Sequence, residues 1–386
     1  MLMSETDESL ALLPNGFVDI LPPHAEGEAR SIDTLMDIFR SNGYLRIKPP
    51  ILEFEDSLLA PGPGERLALE TFRLMDPVSH RMLGVRSDIT AQVARIVSSR
   101  LANEPRPLRL TYANDALRTR GSQMRTVRQF TQVGCELVDN TQALYPDIEI
   151  CVLSILGLKS LGLKDLTLDL TVPGFVADLM NDIDEDDQPK AKKAVEQRDV
   201  EVLNALSAKA AGLIATAMQA SGDAQNAFDV LAGQQFGDEI QAKLDQLKSL
   251  CQGIQDAFKS LDIDDVRITV DLIEQSGFEY HKNYGFTLFA ADSRGELGRG
   301  GSYDIHFGQK LSSETARGFT LYMDTISRLI DVEPNEKSVF VPVDTPWHTV
   351  KDLQAQGWVT VRATEAEQSS SSCGYVYRNG KIEEQS

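Results

Sequence analysis

The chain has 386 residues, 42% of them hydrophobic and 25% charged, which is enough for a full-sized core and for more than one domain. With 58 acidic against 38 basic side chains the formal net charge is −20, which opposes general nucleic-acid binding because that rests on phosphate neutralisation. No apolar run reaches the ~20 residues that span a bilayer. The acidic start MLMSETDESLALLPNG lacks a secretory signal's basic end and apolar core, so a cytoplasmic location is expected. The four cysteines (Cys135, Cys151, Cys251, Cys373) contain no C-x-x-C pair and are expected as free, buried thiols. The five histidines show no ligand spacing, so no metal site is expected.

In chain order, residues 1–13 read as a mobile acidic tail. GFVDILPP then stops at a double proline, and His24 to Asn42 has Ile32, Leu35, Met36 and Phe39 at helical spacing, closed by Gly43. YLRIKPP, TFRLMD and MLGV read as short strands, and a helix is expected from about Ile89 with Asp88 placed to cap it. Leu108 to Val138 reads as two strands joined by a polar loop that carries Arg118, Arg120, Arg125 and Arg128. Guanidinium forks match phosphate or carboxylate, so this loop is either a solvated surface or an anion site.

The next helix places Ile148, Val152, Ile155 and Leu156 on one face, and Asp165 to Val172 is a strand. From about 180 to 262 the pattern turns helical, with Ile240, Leu244, Leu247, Cys251, Ile254 and Phe258 as a core stripe inserted into an α/β body. Strands resume with VRITVDLIE, SGFEYHKNYGFTLFA and GELGRGGSYDIHFG, where Gly298, Gly300 and Gly301 permit close backbone approach or a bulge. A helix is expected from about Gly318 to Ile330. The last part, 331–386, reads as strand (SVFVPV), helix (HTVKDLQAQG) and two strands (WVTVRAT and CGYVYRNGKI), a small α/β unit.

Taken together, residues 14–330 resemble the catalytic domain of class II aminoacyl-tRNA synthetases, specifically of histidyl-tRNA synthetases. GFVDILPP with the following helix, strand and Pro50 is similar to the dimer-forming first motif. Arg118 to Phe130 looks like the second motif, where an arginine grips the ATP α-phosphate and a phenylalanine stacks on adenine. QVGCE, SGFEYH and GGSYD are similar to segments that read histidine, and GFTLYMD to the start of the third motif. The resemblance implies an α+β fold, an antiparallel sheet flanked by helices.

Three departures weaken the ATP site. Ser276 stands where an activating arginine is expected, Thr325 about where a γ-phosphate arginine is expected, and Arg120 where a glutamate would recognise adenine. Losing two such electrostatic clamps, each contributing a factor of ~10²–10³, leaves no useful activation. The short 331–386 unit stands in place of an anticodon-binding domain. This combination resembles the regulatory subunits of ATP phosphoribosyltransferase. The family implies a chain without its own catalysis or cofactor, joined to a short-form catalytic subunit in a hetero-octamer, with self-association through the first motif and no tRNA or membrane partner. It would serve the first step of histidine biosynthesis and its feedback control by L-histidine.

On that reading a histidine pocket survives: Asp88 and Thr90 for the amino group, Arg118 for the carboxylate, Gln132 and Glu136 on one strand face, with Tyr280, His281 and Tyr303 around the imidazole. Phe130 belongs to the degraded ATP site with Arg120, Ser276 and Thr325. The alternative is an active histidyl-tRNA synthetase, or another ligase of that fold acting on histidine.

Overall fold

A computed structural model describes residues 12–60, 64–121, 125–274, 280–305, 314–331, 337–366 and 373–385. The chain divides into two units, one covering 26–330 with the N-terminal residues to 20, the other 331–386 with 21–25. The expected acidic tail lies outside the described residues, except for exposed Leu12 and Leu13.

The larger unit is built on strands β1 (Leu45–Arg46), β2 (Leu52–Phe54), β3 (Arg73–Met75), β4 (Met82–Val85), β5 (Leu108–Leu117) and β6 (Gln129–Asp139), followed by β7 (Leu166–Thr171), β8 (Gly222–Asp223), β9 (Val266–Val270), β10 (His281–Ala290), β11 (Gly298–Ile305) and β12 (Glu314–Tyr322). Nine of them form one sheet in the order β1-β5-β6-β12-β11-β10-β7-β9-β8, and β2-β4-β3 form a small second sheet. From β5 to β7 every pairing is antiparallel, as expected; β1 joins β5 and β9 joins β7 in parallel, so the sheet as a whole is mixed.

Side chains alternate across the sheet with period two. On one face Val133, Cys135, Leu137, Phe319 and Leu321 enter the main core with Leu35 and Phe39 of helix α1 (His24–Ser41). On the other face Leu110, Tyr112, Val138, Tyr303 and Ala316 pack with Ile89 and with Val93, Ala94 and Val97 of helix α2 (Thr90–Ser99). That second face carries the candidate site.

Helix α3 (Tyr145–Ser160) corrects the expected stripe: Ile148, Val152 and Leu156 are only half-buried, whereas Ile150, Cys151, Leu153, Ile155 and Leu158 are buried. The helix is covered on more than one side. It meets the sheet, and its Ile148 lies against Gly253 of α4 (Asp238–Ser260), leaving no room for a Cβ there. The α4 stripe is buried as expected, and each such aliphatic or Phe side chain contributes roughly 1.5–3 kcal/mol. Arg317 of β12 donates to Asp147 Oδ1 of α3 at 2.7 Å, Asp139 Oδ1 at 2.8 Å and the Thr141 carbonyl at 2.9 Å.

Gly318 to Tyr322 is strand, not helix, and only Met323–Ile326 forms a short helical turn. The apolar spacing that suggested a helix belongs to a strand enclosed on both faces, paired to β6 and β11 at once. All four cysteines are free and buried. Among the described residues no helix is long and apolar enough to cross a membrane.

The smaller unit has a sheet of β13 (Ser338–Val341), β14 (Val359–Arg362), β15 (Tyr375–Arg378) and β16 (Lys381–Glu384), in the order β14-β13-β15-β16. Val350 and Leu353 of helix Trp347–Ala355 pack on Val339 and Val341. The expected last strand is in fact the hairpin β15–β16, turned at Asn379 and Gly380, both at positive φ, where an Asn-Gly pair is favoured.

Candidate ligand pocket

Glu136 sits in the middle of β6, 1% exposed, opposite Gly318 of β12. A Cβ on Gly318 would stand 1.9 Å from Glu136 Oε2, so only glycine leaves room for this carboxyl. The Tyr303 hydroxyl donates to Oε2 at 3.0 Å. Burial pushes the Glu136 carboxyl up to about 8; the bond from Tyr303 pulls it back, the nearby Asp88 charge raises it, and the Thr90 hydroxyl lowers it. At neutral pH the neutral form therefore dominates.

Four residues before it on the same strand face, Gln132 fixes the entry to α2. Its Oε1 accepts the Ile89 amide at 3.0 Å, and its Nε2 donates to Asp88 Oδ2 at 3.2 Å. Asp88 Oδ1 accepts the Thr90 amide at 2.9 Å, but the N-cap residue is Ile89, without a side-chain cap bond, so Asp88 precedes the cap expected of it. The Tyr112 hydroxyl shares a 2.7 Å bond with Thr320.

Across the sheet the Tyr280 ring lies against His281 at 4.1 Å between centroids and edge-on to Tyr303 at 5.5 Å. A register shift in β10 follows His281, and its ring lies over Gly301, where a Cβ would meet Cδ2 at 2.4 Å. Thr90, Glu136, His281, Arg299, Tyr303 and Thr320 line a remaining cavity of about 10 Å³. That is room for about one water. A ligand the size of an amino acid needs more space than this lining leaves, so the lining must give way for one to enter.

The arginine loop joins β5 and β6 beside this pocket, and three of its four arginines have partners among the described residues. Arg118 Nε is 3.3 Å from Glu70 Oε2. Arg125 pairs with Asp324 at 3.2 Å and Glu296 at 3.5 Å, and its guanidinium lies 3.7 Å from the Tyr322 ring centroid. Arg128 donates to the carbonyls of Arg118 and Asn15, each at 3.1 Å, and Arg120 is exposed.

Phe130 is 4% exposed. Its ring meets Tyr322 edge-on at 6.0 Å and has the guanidiniums of Arg125 and Arg118 at 5.0 and 5.2 Å. The ring expected to stack on adenine is therefore buried among the chain's own groups. Thr325 is half-buried in the turn after β12, Arg328 is exposed, and Ser276 lies outside the described residues.

Residues 16–326 match the family model of histidyl-tRNA synthetase. The ATP phosphoribosyltransferase regulatory subunit of Rhodospirillum centenum is 40% identical over 384 residues, covering 97% of each chain. That of Gluconobacter oxydans is 36% identical and covers 98% of each. The chain belongs to the family of ATP phosphoribosyltransferase regulatory subunits. The crystal structure of an ATP phosphoribosyltransferase regulatory subunit/histidyl-tRNA synthetase from Bacillus halodurans matches with a TM-score of 0.76 at 20% identity, over 94% of this chain and 95% of that one. A histidyl-tRNA synthetase from Nostoc matches with a TM-score of 0.74 at 17% identity, over 93% and 87%. At such identities these two likenesses establish the fold.

In this regulatory subunit Asp88, Thr90, Gln132, Glu136, Tyr280, His281 and Tyr303 come together, while Arg118 lies with Glu70 and Phe130 in the adjoining cluster. Sequence reasoning missed Tyr112, Gly318, Thr320, Arg299 and Tyr322. Tyr112 and Thr320 meet only through sheet pairing, and Tyr322 was read as part of a helix. For Gly318 the one available signal was a glycine inside an apolar run.

Proposed function

We propose that this chain is a regulatory subunit without catalysis of its own, which activates a short-form ATP phosphoribosyltransferase catalytic subunit in the first step of L-histidine biosynthesis. It works in a hetero-octamer, self-associates through the first motif, and carries the small 331–386 unit in place of an anticodon-binding domain. L-histidine entering the Glu136 pocket is the feedback signal. It shifts the complex between two arrangements through unequal affinity for them.

The observation that carries the non-catalytic reading is the burial of Phe130. An adenine needs that ring as a platform, and here it is packed against Tyr322 and Arg125, the latter held by Asp324 and Glu296. The pocket half supports a sensing role, since Glu136, Gln132 and Asp88 retain hydrogen-bonding groups suited to an imidazole and an ammonium. The test is histidine-dependent exchange of pyrophosphate into ATP by the pure chain. We expect no exchange above the protein-free blank; sustained exchange would overturn the reading in favour of a ligase.

A further inference from the structure

Resting on the reading that this pocket holds L-histidine, we infer that pocket and ligand share a single proton: neutral Glu136 and neutral imidazole combine into a carboxylate–imidazolium pair, and affinity peaks between two pH limits. The geometry carries this. Glu136 is enclosed and faces neutral donors, the Tyr303 hydroxyl at 3.0 Å on β11 and Thr90 at the start of α2. Among the described residues, the groups that act on its charge are Tyr303, Asp88 and Thr90, and none of them is a cation. Asp88 is a second carboxylate, Tyr112 of β5 bonds Thr320 of β12, and Arg299 of β11 pairs with Glu296. His281 of β10 stacks on Tyr280, and at Gly318 the pocket wall is backbone. A buried carboxyl so placed keeps its proton, in line with its raised titration.

The proton balance follows. At neutral pH the Glu136 proton moves from the carboxyl oxygen to the imidazole nitrogen of the ligand, and none is exchanged with solvent. Above the Glu136 titration the empty site is already ionised, so binding takes up one proton from water. Below about 6.5, where imidazole is protonated in solution, binding releases one. Affinity thus falls about tenfold per pH unit beyond either limit.

Titration calorimetry of the full chain with L-histidine between pH 6 and 9.5, in buffers of different ionisation enthalpy, counts these protons. We expect uptake near zero at pH 7. At pH 9 we expect one proton more than Glu136→Gln takes up, because the ligand's amino group contributes equally to both. Tyr303→Phe removes a donor to the carboxylate and should move the alkaline fall to higher pH. If Glu136→Gln does not bind, imidazole-propionate, which lacks the amino group, should still draw one proton into the wild-type site at pH 9. Equal uptake by wild type and Glu136→Gln, or zero uptake with imidazole-propionate, would overturn the shared proton while leaving the histidine pocket intact. No binding of L-histidine at any pH would instead remove the reading on which it rests.

Discussion

Replacing Arg317 by Met tests how the sheet behind the pocket is held. The side chain is 4% exposed and its guanidinium makes three bonds, to Asp147, Asp139 and the Thr141 carbonyl, tying β12 to α3 and to the end of β6. Methionine fills most of the volume but leaves carboxylates of 5% and 12% exposure without their cation. Breaking a buried pair from one side costs about 3–5 kcal/mol. The cost depends on pH in a definite direction. Burial already raises the Asp147 carboxyl, and Arg317, more than the Tyr284 hydroxyl, pulls it back. Without Arg317 that carboxyl rises further, so protonation below its folded value relieves the strain, and the loss is smaller at pH 5 than at pH 8. Urea unfolding of both proteins at the two pH values measures this, with Arg317→Met/Asp147→Asn recovering part of the loss. A loss under 1 kcal/mol at pH 8, or one larger at pH 5, would refute the reasoning.

Other outcomes follow from the same packing. Glu136→Gln should flatten a pH dependence of the ligand-free protein. With a folded value near 8 above the ordinary 4.5, the Glu136 contribution is fully present below pH 4.5 and is lost as pH rises to 8, at about 1.4 kcal/mol per unit. Urea midpoints at pH 6 and 9 that shift equally in both proteins would contradict this. Gly318→Ala puts a methyl 1.9 Å from Glu136 Oε2 and 2.7 Å from the Cys135 carbonyl, so a loss of about 1–3 kcal/mol is expected, smaller in a Glu136→Ala background. Equal losses in both backgrounds would show that Glu136 is not the clashing partner. Because all four cysteines are buried, a thiol reagent should label the native chain slowly and take up four equivalents after denaturation; rapid labelling of the native chain would contradict that burial.

The sequence was most readable where periodicity and special residues agree. Alternation in Leu108 to Val138 marks β5 and β6, and it also puts Gln132 and Glu136 on one face, where the structure has them. The α4 stripe is a helix with one buried side, so its spacing reads directly. Periodicity misled where an element is buried all round. β12 lost its alternation between two neighbours, and α3, lying against both the sheet and α4, showed a stripe that is not its buried side. The covering of Phe130 was not legible in any local pattern, since Tyr322 with Asp324, Arg125 and Glu296 come from three segments that are distant in sequence and meet only in the folded chain. Likewise Asn379-Gly380 is a hairpin signal that a single apolar run concealed.

The central claim is that this chain regulates a catalytic partner. The direct measurement is the rate at which a short-form ATP phosphoribosyltransferase joins ATP to phosphoribosyl pyrophosphate, alone and with an equimolar amount of this chain, with and without L-histidine. The account predicts a large rise in rate on mixing, co-elution of the two chains, and suppression of the rise by histidine at lower concentration in wild type than in Glu136→Gln. An unchanged rate with no co-elution would contradict it.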